Sequence, residues 1–189
     1  MLARRKLLGV GLAAAAGTGL VAATSAASAA LPTLPLAPAA PRRVSFSNVH
    51  TGETLDTVYF AEGRYQADAL HQVSHVLRDY RTGDVHFIDP VLLDVLVVLG
   101  QRTGTRKPFQ VLSGYRSPKT NAMLHAHSEE VASHSLHMKG MAVDIHLADG
   151  PLAQLHDAAL RLKGGGVGYY PESGFVHVDA GPVRHWQGT

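Results

Sequence analysis

The chain has 189 residues, with 17 Lys+Arg against 15 Asp+Glu, 12 histidines and no cysteine. Without cysteine there are no disulfide staples, no thiolate metal ligands and no thiol nucleophile, so a transition-metal site must be built from His, Asp or Glu. The near-balanced charge is not that of a nucleic-acid-binding domain.

Arg4-Arg5-Lys6-Leu7-Leu8 reads as a twin-arginine n-region and Gly9 to Ala23 as an Ala/Gly-rich apolar h-region. Ala27-Ser28-Ala29 is a small-x-small cleavage site. Gly17, Thr18 and Gly19 interrupt the apolar run, which is short and weakly hydrophobic for a membrane span. Residues 1–29 are therefore expected to be a signal peptide, removed after twin-arginine export to the periplasm and leaving no stable membrane anchor. Without Arg4, Arg5 and Lys6 the basic count falls from 17 to 14 against 15 acids, a charge near −1. Residues 30–43 are expected to be an unpacked Pro/Ala-rich linker. Residues 44–189 are expected to form one domain with a single core, acting as a monomer.

Val44 to His50 and Thr54 to Phe60 are β-rich runs around Thr51-Gly52-Glu53, a hairpin pattern. Tyr65 to Tyr80 carries Leu70, Val73, Leu77 and Tyr80 at helical spacing. His71 and His75 lie on that helix as a surface pair. Pro90 to Leu99 reads as a buried helix, with Asp89 as N-cap and Gly100 beyond its end. Phe109 to Leu112 is a short strand that delivers Ser113-Gly114-Tyr115-Arg116-Ser117, and Lys119 to Ala126 is a helix. Pro151 to Lys163 has an apolar stripe and is stopped by Gly164-Gly165-Gly166. Val167 to Tyr170 and Gly174 to Asp179 are strands around a turn at Pro171–Gly174. Helices and strands mix without a regular βαβ repeat, which predicts an α+β fold.

Two stretches carry the chemistry. In Met141 to Leu147, alternation puts Met141, Val143, Ile145 and Leu147 towards the core and Ala142, Asp144 and His146 on the other face. A turn at Gly140 brings His137 back towards Asp144. In Phe175 to Asp179, Val176 and Val178 face the core while Phe175, His177 and Asp179 face away. If the strands are neighbours, His137, Asp144 and His177 form a two-histidine, one-carboxylate set, the donor type of catalytic zinc sites that keep a position for water. His146 is expected to hydrogen-bond rather than ligate. His125, His127 and His134, with Glu129 and Glu130 between them, read as a solvated loop beside the cleft. His185 and Trp186 close the chain, and Trp186 is expected to pack its C-terminus.

The pattern Ser135-x-His137-x-x-Gly140-x-Ala142-x-Asp144 resembles the signature of the zinc D-Ala-D-Ala peptidases (peptidase family M15). Ser113-Gly114-Tyr115-Arg116-Ser117, Gly166-Val167-Gly168-Tyr169-Tyr170-Pro171 and Phe175-Val176-His177-Val178-Asp179-Ala180-Gly181-Pro182 are similar to its murein endopeptidase K branch, over roughly 44–187. The resemblance implies a small central antiparallel sheet with flanking helices, as in the Hedgehog/D-Ala-D-Ala-peptidase fold. It implies one Zn²⁺ per chain on His137, Asp144 and His177, with peptidoglycan peptide stems and cross-bridges as substrate. The expected reaction is hydrolysis by a metal-activated water. Arg116 is the candidate oxyanion stabiliser or carboxylate clamp. Related peptidases often place Glu or His two or three residues before the last ligand, but here those positions are Phe175 and Gly174. Asp179 is the first candidate for general base, or else a group orienting a ligand histidine, and Glu172 is the second. A D,D- or L,D-carboxypeptidase and a non-catalytic zinc-containing peptidoglycan-binding module are the alternatives.

Overall fold

A computed structural model describes residues 34–128 and 131–189. The twin-arginine segment, the first residues of the expected linker, Glu129 and Glu130 lie outside the described residues. Among the described residues, no helix is long and apolar enough to cross a membrane.

Strand β1 (Arg42–Asn48) turns through Gly52, whose φ of 71° is left-handed, into β2 (Thr54–Ala61). A two-residue strand, β3 (Arg64–Tyr65), pairs with β2. Helix α1 (Ala67–Val76) follows, then α2 (Pro90–Thr103), β4 (Phe109–Ser113) and α3 (Pro118–His127). A 3-10 turn, Leu136–Lys139, leads into β5 (Ala142–Leu147). Helix α4 (Leu152–Leu162) then precedes β6 (Gly166–Tyr170), β7 (Phe175–Asp179) and β8 (Arg184–Gln187).

The strands form one eight-stranded sheet in the order β3-β2-β1-β4-β5-β7-β6-β8. It is mixed rather than purely antiparallel, because β1 pairs with β4 and β6 with β8 in parallel. Neither β3 nor β8 was expected from the sequence, since each is too short and polar to show alternation. Helix α4 packs on β5, β6 and β7, and α2 packs on β1 and α4. They cover the face to which Val143, Ile145, Val176 and Val178 point, all buried. The opposite face of β5 and β7 is left for polar groups.

The helix ends follow from capping chemistry. The Asp89 side chain accepts from Val91 N at 2.9 Å and Pro90 occupies the first turn, as expected. The helix runs past Gly100, however, and stops at Gly104, which adopts φ 69°. Gly100 sits instead where the Phe109 ring approaches, 3.7 Å from the place of a Cβ. Its role is packing, and the left-handed cap falls to the next glycine. Within the expected linker, Leu34 and Leu36 are partly buried against the core, and β1 begins at Arg42. The Arg42 Nη1 reaches both carboxylate oxygens of Asp94 at 2.8 Å, and the Tyr59 hydroxyl donates to the same group at 2.7 Å. This network bonds a buried charge on the apolar helix α2.

Candidate functional site

The site is built on one row of residues across five strands. Ser113 on β4 lies opposite Asp144 on β5, Asp144 opposite His177 on β7, His177 opposite Gly168 on β6, and Gly168 opposite Trp186 on β8. A bulge between Val111 and Ser113 sets the first step of this row. His137 enters from outside the sheet on the 3-10 turn. Ser135 caps that turn, its Oγ accepting from His137 N at 3.3 Å. Gly140 ends it at φ 66°, and a Cβ there would lie 2.1 Å from the Phe87 carbonyl oxygen, so only glycine fits.

His137 Nε2, Asp144 Oδ1 and His177 Nδ1 lie 3.2, 3.1 and 2.9 Å apart pairwise (His137–Asp144, His137–His177 and His177–Asp144). All three residues are buried. The outward ring nitrogens fix the tautomers. His137 Nδ1 donates to the Gly114 carbonyl at 2.6 Å, and His177 Nε2 donates to Asp179 Oδ2 at 3.0 Å. Each histidine therefore turns its other nitrogen towards the carboxylate. Burial is the main influence on His137 and pushes it down to about 4, with Asp144 opposing, so its ring is neutral at neutral pH. Burial alone would lower His177, but its contacts with Asp144 and Asp179 outweigh that and raise it. For Asp144, burial raises the pKa, and the interactions with His137 and with the Arg116 guanidinium, joined by the hydrogen bonds of both histidines, overcome this and hold it well below the carboxylate range.

Such a cluster calls for a positive charge at its centre. A proton serves one pair of atoms, whereas a metal ion serves all three donors at once. Bonds of roughly 2.0–2.1 Å to a tetrahedral ion would set adjacent donors roughly 3.3 Å apart, close to the spacing observed. The donor set, two imidazoles and one carboxylate, suits zinc.

Around this centre a cleft of ≈ 410 Å³ is lined by Arg116, His134, Asp144, Tyr170, His177 and Trp186, among others. Arg116 hydrogen-bonds through Nη2 to Asp144 Oδ2, and its Nε donates to Ser113 Oγ at 2.8 Å. Its backbone N–H donates to the His137 carbonyl at 3.3 Å. One arginine thus ties three parts of the site together.

Asp179 differs from its expected place. Alternation gave it the cleft face, but it is 0 % exposed and sits behind His177. Besides His177 it accepts from Arg184 Nη2 at 2.7 Å and Nη1 at 3.1 Å. The backbone N–H groups of Gly166 and Gly181 donate to it at 3.0 and 2.8 Å. Burial raises its pKa, but the bonds from His177 and Arg184 reverse this and hold it far down. Both its oxygens are engaged in these bonds, and it is not among the residues that line the cleft. Alternation reports a face but not its depth, and β8 covers this end of it. Glu172 is exposed in the β6–β7 turn and is not among the residues that line the cleft.

His146 contacts Gln110 Oε1 through Nε2 and the Gly174 carbonyl through Nδ1 at 3.2 Å, so it hydrogen-bonds. His71, His75 and His185 are exposed. His125 and His127 bond the carbonyls of Val131 and Met123, and His134 lines the cleft. Trp186 does more than pack the C-terminus. Its ring centroid lies 5.1 Å from that of His177, and its Nε1 donates to the Tyr170 hydroxyl at 2.8 Å. The sequence showed no signal for this beyond two aromatic residues, because the pairing depends on β8.

The Peptidase_M15_2 family model, described as peptidoglycan L,D-endopeptidase MepK, matches residues 36–186. The chain belongs to this family. Peptidoglycan L,D-endopeptidase MepK of Escherichia coli (strain K12) is 46% identical over 145 residues, which is 77% of this chain and 80% of that protein. The probable peptidoglycan L,D-endopeptidase MepK of Haemophilus influenzae is 40% identical over 149 residues, 78% of this chain and 80% of that protein. The matched span holds every residue of the row from Ser113 to Trp186 and the turn that carries His137.

Proposed function

We propose that this chain is a zinc-dependent murein endopeptidase that hydrolyses peptide cross-links of peptidoglycan. The observation that carries this reading is the convergence of His137 Nε2, Asp144 Oδ1 and His177 Nδ1 on one point at the wall of an open cleft. The names of the M15 relatives extend it to an L,D bond of the cross-bridge. Zinc, when bound, supplies Lewis acidity that brings a water to a pKa of about 7 and polarises the scissile carbonyl.

The chain's own groups divide the remaining work. The Gly114 carbonyl and Asp179 fix the ring orientations and tautomers of His137 and His177. Arg116 holds the outer oxygen of Asp144 and presents its guanidinium to the cleft, where it stabilises the charge that develops on the carbonyl oxygen. Asp179 acts through His177 as a positioning residue. Residues 1–29 direct the chain through the twin-arginine route to the periplasm, residues 30–43 link signal and domain, and the domain works there as a monomer.

The test is digestion of isolated sacculi followed by mass spectrometry of the released muropeptides, with zinc measured on the same preparations. The wild-type protein is expected to carry about one zinc per chain and to open cross-bridges at an L,D bond. His137→Ala is expected to lose zinc and cleavage while keeping its circular dichroism. A chelated protein that still cleaves at the full rate would overturn the metal reading. Retention on sacculi without any cleavage would make the chain a binding module instead.

A further inference from the structure

Two arginines line the cleft, and they are held differently. Arg116 turns its Nε/Nη2 edge, the side that forks a carboxylate, onto Ser113 and Asp144. Arg184 bonds Asp179 end-on instead, Nη1 to Oδ1 at 3.1 Å and Nη2 to Oδ2 at 2.7 Å, and its Nη1 also donates to the Pro182 carbonyl at 3.1 Å. A guanidinium carries five N–H donors in one plane, so these bonds leave the edge made by Nε–H and the second Nη2–H. The Arg184 side chain is 44 % exposed, against 14 % for Arg116. Its position is fixed all the same. A Cβ at Gly166 would run into Nη1, so the glycine makes room for the guanidinium. The Trp186 ring lies against it, with the centroid 5.0 Å from Cζ. Asp179 Oδ2 accepts from both Arg184 Nη2 and, at 3.0 Å, His177 Nε2. Arg184 therefore stands one carboxylate and one imidazole from the point where the three candidate ligands converge.

We propose that Arg184 determines specificity: its Nε–H/Nη2–H edge binds a free carboxylate on the carbon that carries the leaving nitrogen of the scissile bond. This rests on the peptidase reading above and names its substrate class, a cross-bridge whose amine-side residue keeps that carboxyl unamidated. In an L,D bond the amine belongs to a D-configured amino-acid centre, and a carboxyl sits on the same carbon. Where that centre is the side-chain end of a stem residue, the carboxyl lies outside the main chain and is either free or amidated. A guanidinium edge meets a carboxylate in two parallel N–H···O bonds, and a fork already held against a ring loses little freedom in doing so. Among the described residues that line the cleft, the only carboxylate is Asp144, and it is already bonded by His137, His177 and Arg116. An anion therefore meets little repulsion there. Arg184 thus carries Asp179 on its inner edge and the substrate on its outer one, moves no proton and makes no covalent bond. Arg116 is left to the carbonyl oxygen.

The experiment compares zinc-saturated wild type and Arg184→Gln on a synthetic L,D-linked muropeptide in two forms, with the carboxyl beside the scissile nitrogen free or converted to the carboxamide. A charge-assisted pair of this kind is worth about 10–100-fold in kcat/KM. Wild type is expected to favour the free acid by about that factor, mainly through KM. Arg184→Gln is expected to handle the two forms nearly alike. Because Arg184 also holds Asp179, the variant slows both forms together, and the acid-to-amide ratio cancels that shared loss. A purely structural role would leave the ratio as in wild type. Calorimetry gives a readout independent of turnover: the amine-side product peptide should bind wild type more tightly as the acid than as the amide, and Arg184→Gln without distinction. Equal kcat/KM for the two forms in wild type, a comparison that needs no variant to fold, would overturn the inference. So would a wild-type ratio retained in Arg184→Gln, and in both cases cleavage leaves the peptidase reading intact. A wild-type protein that cleaves neither form would overturn both.

Discussion

Asp179→Asn separates a positioning carboxylate from a general base. The wild-type carboxylate receives five hydrogen bonds, from His177, twice from Arg184, and from the amides of Gly166 and Gly181. Asparagine keeps the shape but replaces one accepting oxygen by an NH₂ group. Whichever way that amide turns, its NH₂ meets donors. Directed at His177 and Arg184 Nη2, it opposes the N–H groups that now hold the ring. Turned the other way, it opposes Gly166 and Gly181. His177 then loses the partner that keeps the proton on Nε2 and the lone pair on Nδ1. Loss of such an outer partner weakens metal binding by about 10–100-fold, or about 1.4–2.8 kcal/mol. Zinc affinity is measured by competition with a chelating indicator, and kcat at saturating zinc on the same samples. The expected result is a weaker zinc affinity in that range, with most of the turnover recovered once zinc saturates. An unchanged affinity with turnover lost at saturating zinc would refute the reasoning and return Asp179 to the role of base.

Two further outcomes follow from the loops and the row. Gly168→Ala puts a methyl 2.7 Å from the Trp186 ring, so the indole must move off His177. Overpacking of this kind costs about 1–3 kcal/mol in denaturant titrations, and the emission of the chain's single tryptophan should shift; a spectrum and stability like wild type would disprove the close approach. Asp79 anchors the loop after β4, accepting from Ser117 N at 2.9 Å and Arg81 N at 3.0 Å. Burial would raise its pKa, but bonds from Thr120 and Ser117 bring it down to about 2. Because the folded pKa is depressed, its contribution is fully present above the unfolded value of about 3.9 and fades as pH falls towards 2. The stability gap between wild type and Asp79→Asn should therefore be about 2 kcal/mol near pH 6 and largely lost by pH 2. A gap that stays constant across that range would contradict the assignment.

The sequence alone determined the elements with strong local periodicity and the faces of the two central strands. Val143 and Ile145 on β5, and Val176 and Val178 on β7, alternate with Asp144 and His177, and a period of two leaves only one choice of face once a core must form. The three candidate ligands were legible for that reason, and because Gly140 forces the turn that returns His137. The ends of the sheet were not legible. β3 and β8 are short and polar, so nothing local distinguishes them from loop, and only pairing with β2 and β6 makes them strands. The position of Asp179 depended on the second of these pairings. Its face was readable, but its burial under Arg184, and hence its place behind His177, required β8 to be laid parallel to β6. The same pairing brought Trp186 across Gly168 to Tyr170. Spacing along the chain carries face and turn, whereas which side chain lies behind which is decided by strand neighbours that are distant in sequence.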